Sequence, residues 1–542
     1  MKHHTKGIQF FSDPADKPLN VLFILMDDLR PLLGVYGDQE AITPHLDQIG
    51  ARATTFKRAF AQIPLCGPSR TSLLTSRRPD TTLCFYNGFN WKSVGDFVSI
   101  PEYFRSQGFH SQSVGKIFHN MQDGKEDGFG GPPGTWTHPP YFPKGRLAKK
   151  ETVCLDEDDS DEGHFQILCS VDMQRFPNTS FTDIEVRNET MNVLSQWKST
   201  DKAKSLFLAV GLYAPHPPFK IPKGFLDLHP LSRLKQITNP EPQKNVTPLT
   251  SSYWTLQYRK SRDWGQATLN GSFSPDFRLK VKQHYYAAVS YADYQIGRII
   301  QGLIDEDLIN TTIINIVVDH GYSLGEHGVF GKQINLDVGL HVPWIIFHPR
   351  VHSLKSFKVF SPEDLQAQRY HEKSMLTPMH GVDSQVELLD LFPTLVDLAG
   401  LPPIEPCPPY NSIESRKIPL CTEGKSQAET VLSKLTDPDP YRHVYSMTSR
   451  KSDISRRKKD LDFMSYSVRN NRYRYVEWYP YNQKLNVTLL DNIAARELYD
   501  HQIDPQENEN KANFNYSSQV IQELSKDLQL AFWANNSNSL YD

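Results

Sequence analysis

Leu19-Asn-Val-Leu-Phe-Ile-Leu-Met26, followed at once by Asp27-Asp28, is the stretch on which the fold turns. A run this apolar needs cover on both faces, as a strand gets in a parallel sheet layered between helices. Thr312-Ile-Ile-Asn-Ile-Val-Val318 repeats the pattern and also stops abruptly, in Asp319-His320. Phe207-Leu-Ala-Val-Gly211 reads as another strand, and 278–306 carries helical periodicity through Ala287, Val289, Ile296, Ile299, Ile300 and Leu303. Strands alternating with helices predict a doubly wound α/β domain. Ligands in that architecture collect beyond the carboxyl ends of the strands, where both acidic pairs lie.

Farther along, Leu388 to Gly400 reads as a helix stopped by its glycine. Past Cys421 the chain turns polar over 422–460, with Asp437-Pro-Asp-Pro440 and the basic run Arg456-Arg-Lys-Lys459, and that basic run reads as a solvated or cleavable loop. Met464–Arg469 and Tyr473–Tyr479 then alternate like half-exposed antiparallel strands, and Ser518–Phe532 looks like a closing helix. The predicted organisation is a main domain over 18–430 and a smaller C-terminal α+β subdomain, with an antiparallel sheet, over 431–542.

The 542 residues are 38% hydrophobic and carry a net charge of -3, so no global field attracts nucleic acid. An anionic ligand needs a local cationic pocket instead. No run of 18 apolar residues is present, which predicts no membrane span. Met1–Gly7 lacks the apolar core of a signal peptide. Eight Asn-x-Ser/Thr sequons nonetheless begin at Asn178, Asn188, Asn245, Asn270, Asn310, Asn486, Asn515 and Asn535. Cys154 with Cys169, and Cys407 with Cys421, bracket short loops that disulfides would close, as in a secretory-pathway protein. Together these features predict a chain that begins after a removed leader or lacks part of its start. Cys66 and Cys84 are left, either as a third disulfide or as a chemically used residue beside a buried thiol.

Adjacent carboxylates at the end of a buried strand repel each other and are costly to bury without a cation. Asp27, Asp28 and Asp319 offer hard oxygen ligands to Ca²⁺ or Mg²⁺, whereas His320 suits a transition metal better. If the segment after Cys66 is helical, Arg70, four residues on, faces the same side.

Asp27-Asp28, Cys66-Gly-Pro-Ser-Arg70, the segment Gly108 to His119 with Val114-Gly-Lys-Ile-Phe-His119, and Asp319-His320-Gly321 resemble, in that order, the motifs of the sulfatase family. The resemblance spans about Asn20 to Ala531. Asp28-Leu-Arg-Pro31, Arg77-Arg-Pro-Asp-Thr-Thr82, Pro215-His216-Pro-Pro-Phe219 and Leu324-Gly-Glu-His327 are similar to members that remove the 2-O-sulfate of terminal L-iduronate from heparan and dermatan sulfate.

That resemblance implies an alkaline-phosphatase-like fold, a mixed and mostly parallel sheet between helices. It implies that the formylglycine-generating enzyme converts Cys66 to formylglycine, whose hydrate attacks the ester and then expels sulfate. One Ca²⁺ would sit among Asp27, Asp28, the modified residue 66, Asp319 and His320. Arg70 would steady the hydrate, Lys116 would bind sulfate oxygens, and His119 would orient or deprotonate the hydrate. His216 would touch the sulfate or leaving group, and Lys332 would donate a proton to the leaving sugar oxygen or pair with the uronate carboxylate. The implied partner is a sulfated glycosaminoglycan oligosaccharide, met by a monomer in lysosomes or after secretion. His327, Asp337 and His341 read as packed residues outside this set.

Four positions depart from the pattern of the relatives that the sequence resembles. Ser76 stands where glycine is usual, Tyr322 where the vertebrate-like members carry Trp, and Gly331-Lys332-Gln333 where those members carry Ala-Lys-Tyr. The alternatives are another carbohydrate sulfatase, a related phosphodiesterase, or a catalytically silent protein that binds sulfated glycans. A phosphodiesterase of this kind would carry Ser or Thr at position 66, often with two zinc ions.

Overall fold

A computed structural model describes residues 17–119, 131–145, 152–154, 167–199, 204–250, 273–367, 377–409, 411–451, 461–514 and 517–533. Its centre is an eight-stranded sheet. The named strands are β1 (Asn20–Met26), β2 (Thr54–Phe60), β3 (His110–Gly115), β4 (Leu206–Gly211), β5 (Thr312–Val318), β6 (His341–Phe347) and β7 (His380–Val382). They run in the order β7-β2-β6-β5-β1-β4-β3, and the short strand Val386–Glu387 also pairs with β2. β1 is parallel to β4 and β5, and β4 to β3, while β6 is antiparallel to both of its neighbours. Every residue of β1 and β5 is buried, as their unalternating sequences require.

Two groups of helices flank the sheet. The helix Cys66–Thr75 (α1) packs against Ile100–Ser106 and Leu391–Leu398. The 31-residue helix Pro275–Asp305 (α2) packs against Thr182–Ser199 and Pro44–Arg52. The predicted helix at 388–400 begins instead as a 3-10 turn, Leu388–Asp390, and ends before Gly400, whose φ is 71°.

The C-terminal sheet consists of β8 (Val444–Arg450), β9 (Phe463–Arg469), β10 (Tyr473–Asn482), β11 (Ala495–Asp500) and a short strand, Val487–Thr488, all paired antiparallel. The helix Ser518–Phe532 (α3) closes it, and Ile63, Leu65 and Phe85 of the main domain complete its apolar core. The polar stretch 422–460 contains the helix Ala428–Leu432 and all of β8. β8 is polar yet buried because main-domain carbonyls take its hydroxyls: Ser446 donates to Ala61 O (2.6 Å) and Ser449 to Phe85 O (3.1 Å). Arg456–Lys459 lies outside the described residues.

Both expected disulfides form, Cys154–Cys169 and Cys407–Cys421, while Cys66 and Cys84 are free and buried. The third disulfide is thus absent. Asn178, Asn188, Asn245, Asn310 and Asn486 are exposed; Asn270, Asn515 and Asn535 lie outside the described residues. Among the described residues no helix is long and apolar enough to cross a membrane.

Candidate active site

The parallel pairing of β1 with β5 brings their acidic tips together, because Met26 faces Val318 at the carboxyl end of the ladder. Asp27, Asp28, Asp319 and His320 are all fully buried there. Cys66 enters from α1, whose first residue it is, so an anion at this position lies at a helix N-terminus. Gly67 permits the approach: a Cβ there would come within 2.8 Å of the Asn87 side chain. Lys116 enters beyond β3, where Gly211 at the end of β4 is essential, since a Cβ would fall 2.0 Å from the Lys116 carbonyl oxygen.

Ligand atoms of Asp27, Asp28, Cys66 and His320 all lie within 4.8 Å of one another. The Cys66 Sγ is 3.4 Å from Asp27 Oδ1, 3.3 Å from His320 Nε2 and 3.0 Å from Lys332 Nζ. Lys332 also donates to both Asp28 oxygens (2.8 and 3.0 Å), and Lys116 pairs with Asp27. His216 reaches in from its proline-bounded loop, Nε2 3.8 Å from Asp28 Oδ2. Asp319 stands slightly behind. Its Oδ1 accepts from the Asp28 and His320 amides (3.2 and 2.9 Å), and its Oδ2 accepts from Arg70 Nε (2.7 Å). Arg70 is spent on this framework, donating also to the carbonyls of Lys116, Ile117 (3.1 Å) and Met26 (3.4 Å). It lies in α1 with Cys66, one turn along the same helix.

The charges interlock. Burial pushes the Asp27 carboxyl up, but Lys116, His216, Arg70 and Lys332 together hold it well below the usual range. Asp28 is raised, because burial and the carboxylates of Asp27 and Asp319 outweigh Lys332 and His320. Burial works against protonated His320, yet Asp319, Cys66 and Asp28 lift it to about 9. His119, placed beside Gly67, is held well below its ordinary value by burial and then by Lys116, so its ring is neutral. The residues fit a hard divalent cation: the buried carboxylate oxygens of Asp27 and Asp28 converge with Cys66 and His320, and adjacent carboxylates are costly to bury without a cation.

The remaining expectations separate clearly. His327 lies near Asn239, and Asp337 pairs with Arg469 and Arg474, away from the thiol. His341 Nε2 bonds the Lys57 carbonyl (2.7 Å). Sequence reasoning passes over Asn87, whose Oδ1 accepts the Gly67 amide (2.8 Å), and Ser69, which donates to the Asp319 carbonyl. Asn87 has no motif of its own; Ser69 was legible inside Cys-x-Pro-Ser-Arg, although its partner was not. Cys84 meets Thr71 Oγ1 at 3.6 Å, and burial pushes its thiol up to about 12, leaving it inert.

A family model described as Sulfatase matches residues 19–401. The chain is 36% identical to a human protein named iduronate 2-sulfatase, over 96% of this chain and 95% of that one. It is 34% identical to the mouse protein of the same name, over 92% of each. A solved structure titled as a complex with its substrate D-glucosamine-2-N,6-O-disulfate superposes with a TM-score of 0.66 at 17% identity, covering 95% of this chain and 97% of that one. The chain belongs to the sulfatase family. It is, accordingly, a sulfuric ester hydrolase, with the sheet-and-helix core of that family and a C-terminal antiparallel sheet.

Proposed function

We propose that the protein removes the 2-O-sulfate from terminal L-iduronate of heparan or dermatan sulfate, in lysosomes or after secretion, with Cys66 converted to formylglycine. The observation that carries this reading is the position of Cys66, buried at a helix N-terminus with Asp27, His320 and Lys332 around its sulfur. The two mammalian relatives named iduronate 2-sulfatase, similar over nearly the whole chain, support the choice of sugar.

The aldehyde made from Cys66 supplies, as its hydrate, one hydroxyl to attack sulfur and a second whose deprotonation releases sulfate. Asp27, Asp28, Asp319, His320 and the modified residue 66 would hold Ca²⁺, which lowers a hydroxyl pKa and offsets sulfate charge. Lys116 and Lys332, both buried, orient the sulfate by its oxygens. His119 is neutral and can accept a proton from the hydrate. Lys332, between Asp28 and residue 66, can return a proton to the departing sugar oxygen, and His216 borders the same space. Arg70 positions this set through Asp319 and the Lys116 carbonyl rather than by touching substrate.

The test combines two measurements on protein from a secretory host. The peptide containing residue 66 is expected to carry the aldehyde mass, and a terminal 2-sulfo-iduronate disaccharide is expected to lose sulfate at acidic pH. Cys66→Ser is expected to abolish multiple turnover. An unmodified thiol with no sulfate released from an aryl sulfate rejects the mechanism, whereas turnover of a glucosamine 6-sulfate in place of the iduronate moves the assignment to another sugar.

A further inference from the structure

We propose that Tyr285 is a positioning residue for the metal centre, locking the Asp28 turn and bridging the two acid-tipped strands. The inference rests on the reading of Asp27, Asp28 and their neighbours as a divalent-cation site. It starts from an unfavourable conformation: Asp28 has φ 64°, in the left-handed region that costs a residue with a Cβ roughly 1–2 kcal/mol. Such a conformation persists only when its surroundings over-determine it.

Tyr285 supplies much of that constraint. It projects from α2, fully buried, and its hydroxyl donates to the Asp28 carbonyl oxygen at 2.7 Å. The Tyr285 phenol oxygen in turn accepts the Arg30 amide at 3.3 Å, so one phenol closes the backbone on both sides of Leu29. The Arg30 guanidinium then continues to Glu326 Oε1 (2.7 Å), and the Asp28 amide is taken by Asp319 Oδ1 (3.2 Å). The Tyr285 ring stacks on Tyr322, with centroids 5.7 Å apart and planes 21° apart. Tyr322 follows Asp319-His320-Gly321, so the tyrosine pair ties the tip of β5 to that of β1 through α2. Here lies a physical use for Tyr322 where the vertebrate-like members carry Trp: it is buried against Tyr285 and Phe219.

Without the hydroxyl, the buried Asp28 carbonyl loses its tyrosine donor and the turn can relax, moving the carboxylate that cations must share. Groups behind the ligands of a metal typically change its affinity 10- to 100-fold when removed. The experiment uses full-length protein stripped with EDTA and titrated with Ca²⁺, following the calcium-induced rise in melting temperature. Tyr285→Phe is expected to need about tenfold more calcium for the half-maximal rise. At saturating calcium its KM for an aryl sulfate should stay within about twofold of wild type while turnover recovers, as a defect confined to metal positioning requires. Tyr286→Phe, which removes a hydroxyl bond to Asp38 (2.9 Å) from the same helix, controls for general loss of a buried phenol and is expected to leave the calcium midpoint in place.

An unchanged midpoint in Tyr285→Phe, or an equal shift in Tyr286→Phe, overturns the inference. If Tyr285→Phe does not fold, Tyr322→Leu decides, with a smaller shift in the same direction expected and no shift overturning it. A wild type that shows no calcium-induced rise overturns the metal reading itself, a result distinct from a wild type that responds while the variants match it.

Discussion

Ser76 ends the helix that carries Cys66 at φ 53°, in the left-handed region that makes glycine the usual residue there. What replaces glycine's freedom is a pair of hydroxyl contacts: Ser76 Oγ donates to Leu389 O (2.5 Å) and lies 2.7 Å from Thr422 Oγ1. The serine therefore fastens the end of α1 to the turn Leu388–Asp390 and to Thr422, the residue that follows the disulfide-bonded Cys421. Ser76→Ala loses both contacts and keeps the strained backbone, and should cost about 1–3 kcal/mol. Ser76→Gly loses the contacts but not the conformation, and should be about 1 kcal/mol more stable than the alanine variant. Urea unfolding of the two proteins checks the order; alanine at or above glycine would show that the backbone is not strained at this position. The departure from the motif was visible in the sequence. Its remedy was not, because the partners lie more than 300 residues away.

Strands were legible where burial on both faces leaves no alternation to misread, as in β1 and β5. β8 escaped because its hydroxyls are satisfied by carbonyls from another part of the chain, a cause that no local pattern records. β6 poses the opposite problem, an apolar central strand interrupted by Pro343, which brings no amide to the ladder. The register against β2 shifts between Val342 and Trp344, and the Tyr36 hydroxyl fills the irregularity. It accepts the Trp344 amide (2.9 Å) and donates to the Phe56 carbonyl oxygen (3.0 Å). Tyr36→Phe leaves a buried amide without that acceptor and is expected to cost about 1–3 kcal/mol in chemical unfolding, with aryl-sulfate turnover at 25 °C little changed. A loss below about 0.5 kcal/mol would mean that the sheet closes the gap without the hydroxyl.

Across the whole molecule the C-terminal sheet holds the loop that carries Lys332. Asn335 bonds Ser465 and Ser467 of β9 (2.9 and 2.8 Å), Arg450 of β8 donates to the Gln333 carbonyl, and Asp337 pairs with Arg474 of β10. The sequence foretold a C-terminal antiparallel sheet, but not that it supports the loop carrying Lys332, since support of this kind exists only once the sheet is formed. A second contact makes the junction depend on pH. Asp80, half-buried after α1, accepts from the Tyr466 hydroxyl of β9 at 3.2 Å, and burial is the main reason its carboxyl is raised to about 6. Between pH 3.8 and 6 the folded chain thus holds a proton at Asp80 that the unfolded chain releases. Stability from this group falls as pH rises through that window and is regained on acidification, in the range where we propose the enzyme acts. Asp80→Asn mimics the protonated form and keeps an oxygen for Tyr466. It is expected to stabilise the protein at pH 7.5 by on the order of 1–2 kcal/mol and to match wild type near pH 4. Melting temperatures of both proteins across that range provide the check, and a variant that gains nothing at pH 7.5, or gains equally at pH 4, would show that Asp80 is ionised without penalty in the folded chain.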